Sequence, residues 1–125
     1  FLYKVNEEDV YGYLDPYVEN KKLKKHSEIE VTTIDSIVLS NNIDTINLLK
    51  IDVEGFEYEV LLGCNDTLKK NKIKKIIIEI HSEFLKSKGT NEDLIYMFLK
   101  EHDFKIKKIQ EISSKQTSNI IAIKN

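Results

Sequence analysis

The sequence has no arginine and a single cysteine, and no apolar run in its 125 residues approaches the length of a membrane span. Each absence removes a class of function. Without arginine the chain lacks the rigid, bidentate fork best suited to phosphates and carboxylates, although a genome biased toward Ile, Asn and Lys accounts equally for that absence. Its 19 basic residues are all lysines, set against 21 acids for a formal charge of −2. Such a balance offers no electrostatic footprint for nucleic acid. A lone Cys64 excludes an internal disulfide and a multi-cysteine zinc site. Following Gly63 near a helix end, it reads as a small packing residue and fits a cytoplasmic location. A membrane span takes roughly 18 or more apolar residues, and no signal-peptide pattern opens the chain, so neither membrane nor nucleic acid is an expected partner. The first residue is Phe1 rather than Met, the mark of an excised or processed piece.

What is present is an ordinary globular composition, 41% hydrophobic and 32% charged, and a length that suits one domain with an apolar core. FLYKV (residues 1–5) predicts a short strand. The acidic loop NEEDVYGYLDPY follows, broken by Gly12 and Pro16 and carrying Tyr11, Tyr13 and Tyr17. KKLKKHS reads as a solvated basic run. EIEVTTID alternates apolar and polar positions and predicts a strand, and SIVLSNN a short helix capped by Asp35 or Ser36. Residues 46–53 and KKIIIEIH (residues 74–81) are nearly continuous apolar runs, the pattern of buried parallel strands. Between them GFEYEVLLG has apolar residues at helical spacing, with Gly63 as a stop, and Asn65 or Asp66 can cap a second short helix. NEDLIYMFLKEHDF predicts an amphipathic helix capped by Asn91, and FKIKKIQ and SNIIAIK an antiparallel pair at a sheet edge. The alternation predicts an α/β fold with a mainly parallel sheet, helices on both sides and right-handed crossovers.

Ligands of such sheets bind beyond the carboxyl ends of the strands, and the stretch NLLKIDVEGFEYEVLLG ends its strand there in Asp52, Val53, Glu54 and Gly55. Residues two apart in a strand share a face, so Asp52 and Glu54 point together, as do Glu79 and His81 on the next strand. If the strands are neighbours, three carboxylates and an imidazole meet at one rim. That set can work as general acid and base, or hold a hard divalent cation through its oxygens. Structural roles are open for each: Glu54 or Glu57 suits the dipole of a helix N-terminus, Glu79 can pair with Lys50, and His81 can be a satisfied hydrogen-bonding residue.

VTTIDSI, LLKIDVEGFEYEVLLG and KKIIIEIH, in this order and spacing, resemble the FkbM-type methyltransferases over residues 30–109. The resemblance implies a Rossmann-like sheet that binds S-adenosylmethionine and methylates an oxygen on a sugar or small-molecule acceptor. It places Asp52, Glu54, Glu79 and His81 at the methyl-transfer centre and Asp52 and Val53 against the cofactor, and it assigns no residue to a metal. One feature departs from the family. The glycine-rich turn that grips the cofactor has no counterpart, since Gly12, Gly55, Gly63 and Gly89 are all isolated. Residues 1–125 therefore read as the C-terminal half of such a domain, without its cofactor-binding half. Two other enzyme or signalling classes compete: a receiver-type domain with Asp52 as phosphoacceptor, and a metal-dependent hydrolase built on the same carboxylates. A non-catalytic relic of the methyltransferase fold is a further reading.

Overall fold

The computed structural model describes residues 2–4, 24–27, 30–109 and 117–125. The loop holding Gly12, Pro16 and the three tyrosines lies outside them. The chain divides into two compact units, residues 1–31 and 32–125. In the first, β1 (Leu2–Lys4) pairs antiparallel with β2 (Lys24–Ser27). The start of the chain is thus a strand, as its pattern predicts, but so is part of the lysine run. Backbone pairing suffices to make a two-stranded ribbon, and no side-chain alternation announces it. The predicted strand EIEVTTID does not form over its described part: residues 30–33 are irregular and lead into a helix.

The second unit runs α1 (Ile34–Ser40), β3 (Leu49–Ile51), α2 (Glu57–Leu62), α3 (Asn65–Lys69), β4 (Lys75–His81), α4 (Ser82–Ser87), α5 (Glu92–Glu101), β5 (Phe104–Ile109) and β6 (Thr117–Lys124). Its four strands form one sheet in the order β3-β4-β6-β5. β3 and β4 are parallel neighbours, with Leu49 opposite Ile76 and Ile51 opposite Ile78. This is the expected crossover unit, its connection supplied by α2 and α3. β6 pairs antiparallel with both β4 and β5. The expected sheet is corrected here: it is mixed, with one parallel pairing, because β6 inserts between two strands that run the same way. The final antiparallel pair forms as predicted, but only β5 lies at the edge.

Packing follows the pleat of β4. Ile76, Ile78 and Ile80 are fully buried, while Lys75, Ile77 and Glu79 on the other face are half-buried. The buried set meets Ile51 and Ile120 from neighbouring strands and Leu61, Leu68, Leu85, Ile95 and Leu99 from the helices. Each such side chain removed from water contributes about 1.5–3 kcal/mol. Cys64 belongs to this core. Its thiol is pushed up to about 12, chiefly by burial and then by the charge of Asp35, and it donates to the Leu61 carbonyl.

Caps position the helices. Asn91 caps α5 as predicted, its side chain accepting from the Leu94 N–H. At α1 the cap is Thr33, which accepts from the Ser36 N–H. Asp35, one of the two residues predicted for that role, instead reaches across to α3. There it accepts from the N–H groups of Asp66 and Thr67 and from the Thr67 hydroxyl. Cys64, at the start of α3, makes no capping bond with its own side chain, so the carboxylate of Asp35, 31 residues before Asp66, does this work. Among the described residues no helix is long and apolar enough to cross a membrane.

Candidate active site

Because β3 and β4 are parallel, their carboxyl ends lie side by side, and the turn after β3 faces the last residue of β4. The apolar run predicts a strand through residue 53, but β3 stops at Ile51. Glu54 then adopts φ +52° and Gly55 φ +94°, and the Phe56 N–H bonds back to the Val53 carbonyl at 3.3 Å. Two successive positive φ values across such a bond are the pattern of a primed type I turn. Glu54 therefore reaches the rim through a left-handed turn, which is uncommon for a residue with a side chain, and not through strand alternation.

This turn is held from α4. A Cβ on Gly55 would stand 2.5 Å from the Cβ of Phe84, so the position accepts glycine for both its φ and its space. One turn further along α4's end, Lys88 donates to the Gly55 carbonyl at 3.0 Å and to Glu59 at 2.7 Å. Its ammonium also lies 3.3 Å from the centre of the Phe56 ring, a cation–π contact.

Three of the four predicted residues come together. One oxygen each from Asp52 and Glu54 and a ring nitrogen of His81 lie within 4.8 Å of one another. Asp52 is exposed and paired with Lys50 at 2.9 Å. Glu54 Oε1 is 3.7 Å from His81 Nε2. Glu79 does not join this group. It acts on Lys50, whose pKa is raised first by its hydrogen bond and charge contact with Asp52 and then by Glu79. Val53 packs its side chain against the core, and its carbonyl is engaged in the turn.

The residue that the sequence reading missed as part of the site is Glu57. It is fully buried in the first turn of α2, and its Oε1 lies 2.8 Å from His81 Nδ1. The same oxygen accepts from the Gly55 N–H at 3.0 Å. Oε2 is buried without a hydrogen-bond partner. A buried carboxylate is costly unless paired, so this one is committed to His81 and to the turn. The signal was its spacing: Glu57 stands four residues before the buried Leu61, on the apolar stripe of the helix. Held this way, His81 presents Nε2 to the rim while a carboxylate fixes the ring from behind, the arrangement of an oriented general base.

The described residues do not fit an S-adenosylmethionine grip of the glycine-rich kind. Of the glycines there, Gly55 has its side-chain space filled by Phe84, Gly63 packs beside Thr33, and Gly89 faces open space. None opens a backbone cradle between a strand and a helix.

The sequence model described as the methyltransferase FkbM domain matches residues 4–106. The chain is also similar to the AMB antimetabolite synthetase AmbE of Pseudomonas aeruginosa, with 25% identity over 93 residues. That match covers 74% of this chain and 4% of the synthetase, so the chain spans a small fraction of that relative's length. No solved structure matches it.

Proposed function

Since the chain belongs to the methyltransferase FkbM family, we propose that it is the acceptor-side part of an S-adenosylmethionine-dependent methyltransferase acting on an oxygen of a sugar or small molecule. The receiver-domain and hydrolase readings give way to that membership. Similarity to an antimetabolite synthetase favours a small-molecule acceptor. Residues outside 32–125 hold the cofactor in this proposal, because the described ones offer no glycine-rich cradle. A cytoplasmic setting is part of the same reading, in keeping with the buried free thiol of Cys64.

The observation that carries the proposal is the buried Glu57–His81 pair behind an open rim. An acceptor hydroxyl seated at His81 Nε2 gives its proton to that nitrogen. Glu57 Oε1 holds the Nδ1 hydrogen, fixes the tautomer and balances the imidazolium that forms. Asp52 and Glu54 flank the hydroxyl and orient it, since positioning supplies much of the rate in a displacement of this kind.

The test is methyl transfer by the longer protein that carries this segment. His81→Asn should lower turnover by roughly 10²–10⁴, the usual worth of a general base, and Glu57→Gln should lower it less, through turnover more than KM. Parental rates in folded His81→Asn would show that the base lies elsewhere.

A further inference from the structure

Two features of the rim call for a ligand beyond an acceptor hydroxyl. First, the donor atoms of Asp52, Glu54 and His81 lie within 4.8 Å of one another although the residues come from the turn after β3 and from the end of β4. Second, His81 has only 8% of its surface exposed, and its Nε2 faces Glu54 within this cluster. Its nearest partner there, Glu54 Oε1, stands at 3.7 Å, beyond hydrogen-bonding distance. Meanwhile Nδ1 is taken by the buried Glu57. A histidine that ligates a metal almost always gives its other ring N–H to a carboxylate, a carbonyl or water, and that partner fixes the tautomer and makes the ligating nitrogen more basic.

We propose that Asp52, Glu54 and His81 form a divalent-cation site with Glu57 as the carboxylate that orients His81. One imidazole and two carboxylates suit a first-row ion such as Mn²⁺, Fe²⁺ or Zn²⁺ better than Ca²⁺, which takes oxygen alone. With metal–ligand bonds of about 2.0–2.2 Å, ligands at tetrahedral angles stand about 3.4 Å apart, so the donor atoms, now within 4.8 Å of one another, must draw together on binding. The side chain of Glu54, 39% exposed, has the freedom to do so. Lys50 occupies Oδ2 of Asp52, which leaves Oδ1 for the ion. The backbone beneath the site is pre-set by the left-handed Glu54 and by Gly55 locked against Phe84.

The site shares its rim with the proposed methyl-transfer centre but rests on the donor set and not on the reaction. With an ion on Nε2, His81 is a ligand and no longer a proton acceptor. An ion held by Asp52, Glu54 and His81 would supply Lewis-acid chemistry at the rim in place of that base. The two states exclude one another.

The experiment is titration of the 125-residue protein with Mn²⁺, followed by loss of the free-ion electron paramagnetic resonance signal, with circular dichroism to confirm folding. One ion per chain is expected. Glu54→Gln should weaken binding at least tenfold, and Glu57→Gln by the 10- to 100-fold typical of such an orienting partner. Glu101→Gln, an exposed acid on α5, should leave it unchanged. Absence of saturable binding, or unaltered affinity in Glu54→Gln, overturns the site. Glu54 is partly exposed, so that variant decides the matter even where a buried one unfolds. Mn²⁺ bound as expected by a longer protein that transfers no methyl group would sink the functional reading and leave the site standing; methyl transfer without Mn²⁺ binding would do the reverse.

Discussion

His81 Nδ1 lies 2.8 Å from Oε1 of Glu57, a carboxylate with no exposure to solvent. The pair joins the end of β4 to the start of α2, and through the Gly55 N–H it also fixes the turn between β3 and α2. Replacing Glu57 by Leu would leave two donors, His81 Nδ1–H and the Gly55 N–H, without their partner. Each buried donor left unmade costs about 1–3 kcal/mol. The expected loss is therefore about 2–4 kcal/mol, part of it offset because the unpartnered Oε2 is also removed. Glu57→Gln retains an acceptor and should cost about half as much. Urea unfolding of the three proteins measures the difference, and equal midpoints would show that the pair does not hold the turn.

The turn itself supplies a second prediction. Gly55→Ala imposes a side chain at φ +94° and drives its Cβ to 2.5 Å from the Cβ of Phe84. Left-handed backbone costs an L-residue roughly 1–2 kcal/mol, and overpacking about 1–3 kcal/mol more. Gly89 has a similar φ, +74°, but nothing within 4 Å of the site of its Cβ. Gly89→Ala should thus lose only the backbone part, about 1 kcal/mol. Thermal unfolding of both variants separates the two contributions. A Gly55→Ala protein no less stable than Gly89→Ala would show that Phe84 yields.

These two positions also show what was legible in the sequence. The run of isoleucines in β4 and the strand before Asp52 announce their burial, and their helical spacer announces a parallel pair. Asn91 announces α5 because a cap acts on its own next turn. The rest depends on distant parts of the chain. α4 has only Phe84 and Leu85 as apolar residues and no side-chain cap at His81, so no local signal marks it. β6 alternates like any strand, but alternation does not say which strands it separates. Glu57 carried a visible apolar-stripe position, yet its partner lies 24 residues away, and an acid in a first helical turn is ordinarily explained by the helix dipole. The pairing of Asp52 with Glu54 rests on a strand that stays extended, whereas Glu54 reaches His81 through a left-handed turn; the neighbouring of the two strands holds as expected.

Asp35 gives a pH-dependent prediction away from the site. Burial acts to raise its carboxyl, but the hydrogen bonds from the Thr67 hydroxyl, the Thr67 N–H and the Asp66 N–H, with the charge of Lys70, outweigh burial and hold it below the usual value of 3.8. A group whose folded pKa is depressed contributes stability that is present above the unfolded pKa and lost as pH falls through the folded one. Asp35→Ala should therefore cost about 1–2 kcal/mol at neutral pH, the range of a helix cap. The gap from the parent should narrow below about pH 4 as the native carboxyl takes up its proton. Urea unfolding at pH 7 and at pH 3 is the measurement. A gap that stays constant would assign the loss to packing instead of to the charged cap.

The last prediction concerns the cofactor. In the described residues the backbone never approaches an open cradle: the one tight positive-φ glycine, Gly55, is filled by Phe84, and the sheet offers a single parallel crossover, from β3 to β4. A nucleoside-like ligand needs close backbone approach at a glycine turn and the free N–H groups of a helix start. Among the described residues no glycine turn offers that approach. The 125-residue chain should therefore bind S-adenosylmethionine weakly or not at all, while a longer polypeptide that carries the segment binds it. Calorimetric titration of both polypeptides under the same conditions decides the point. Tight binding by the short chain would place the cofactor site within residues 1–125 and overturn the assignment of that site to a larger domain.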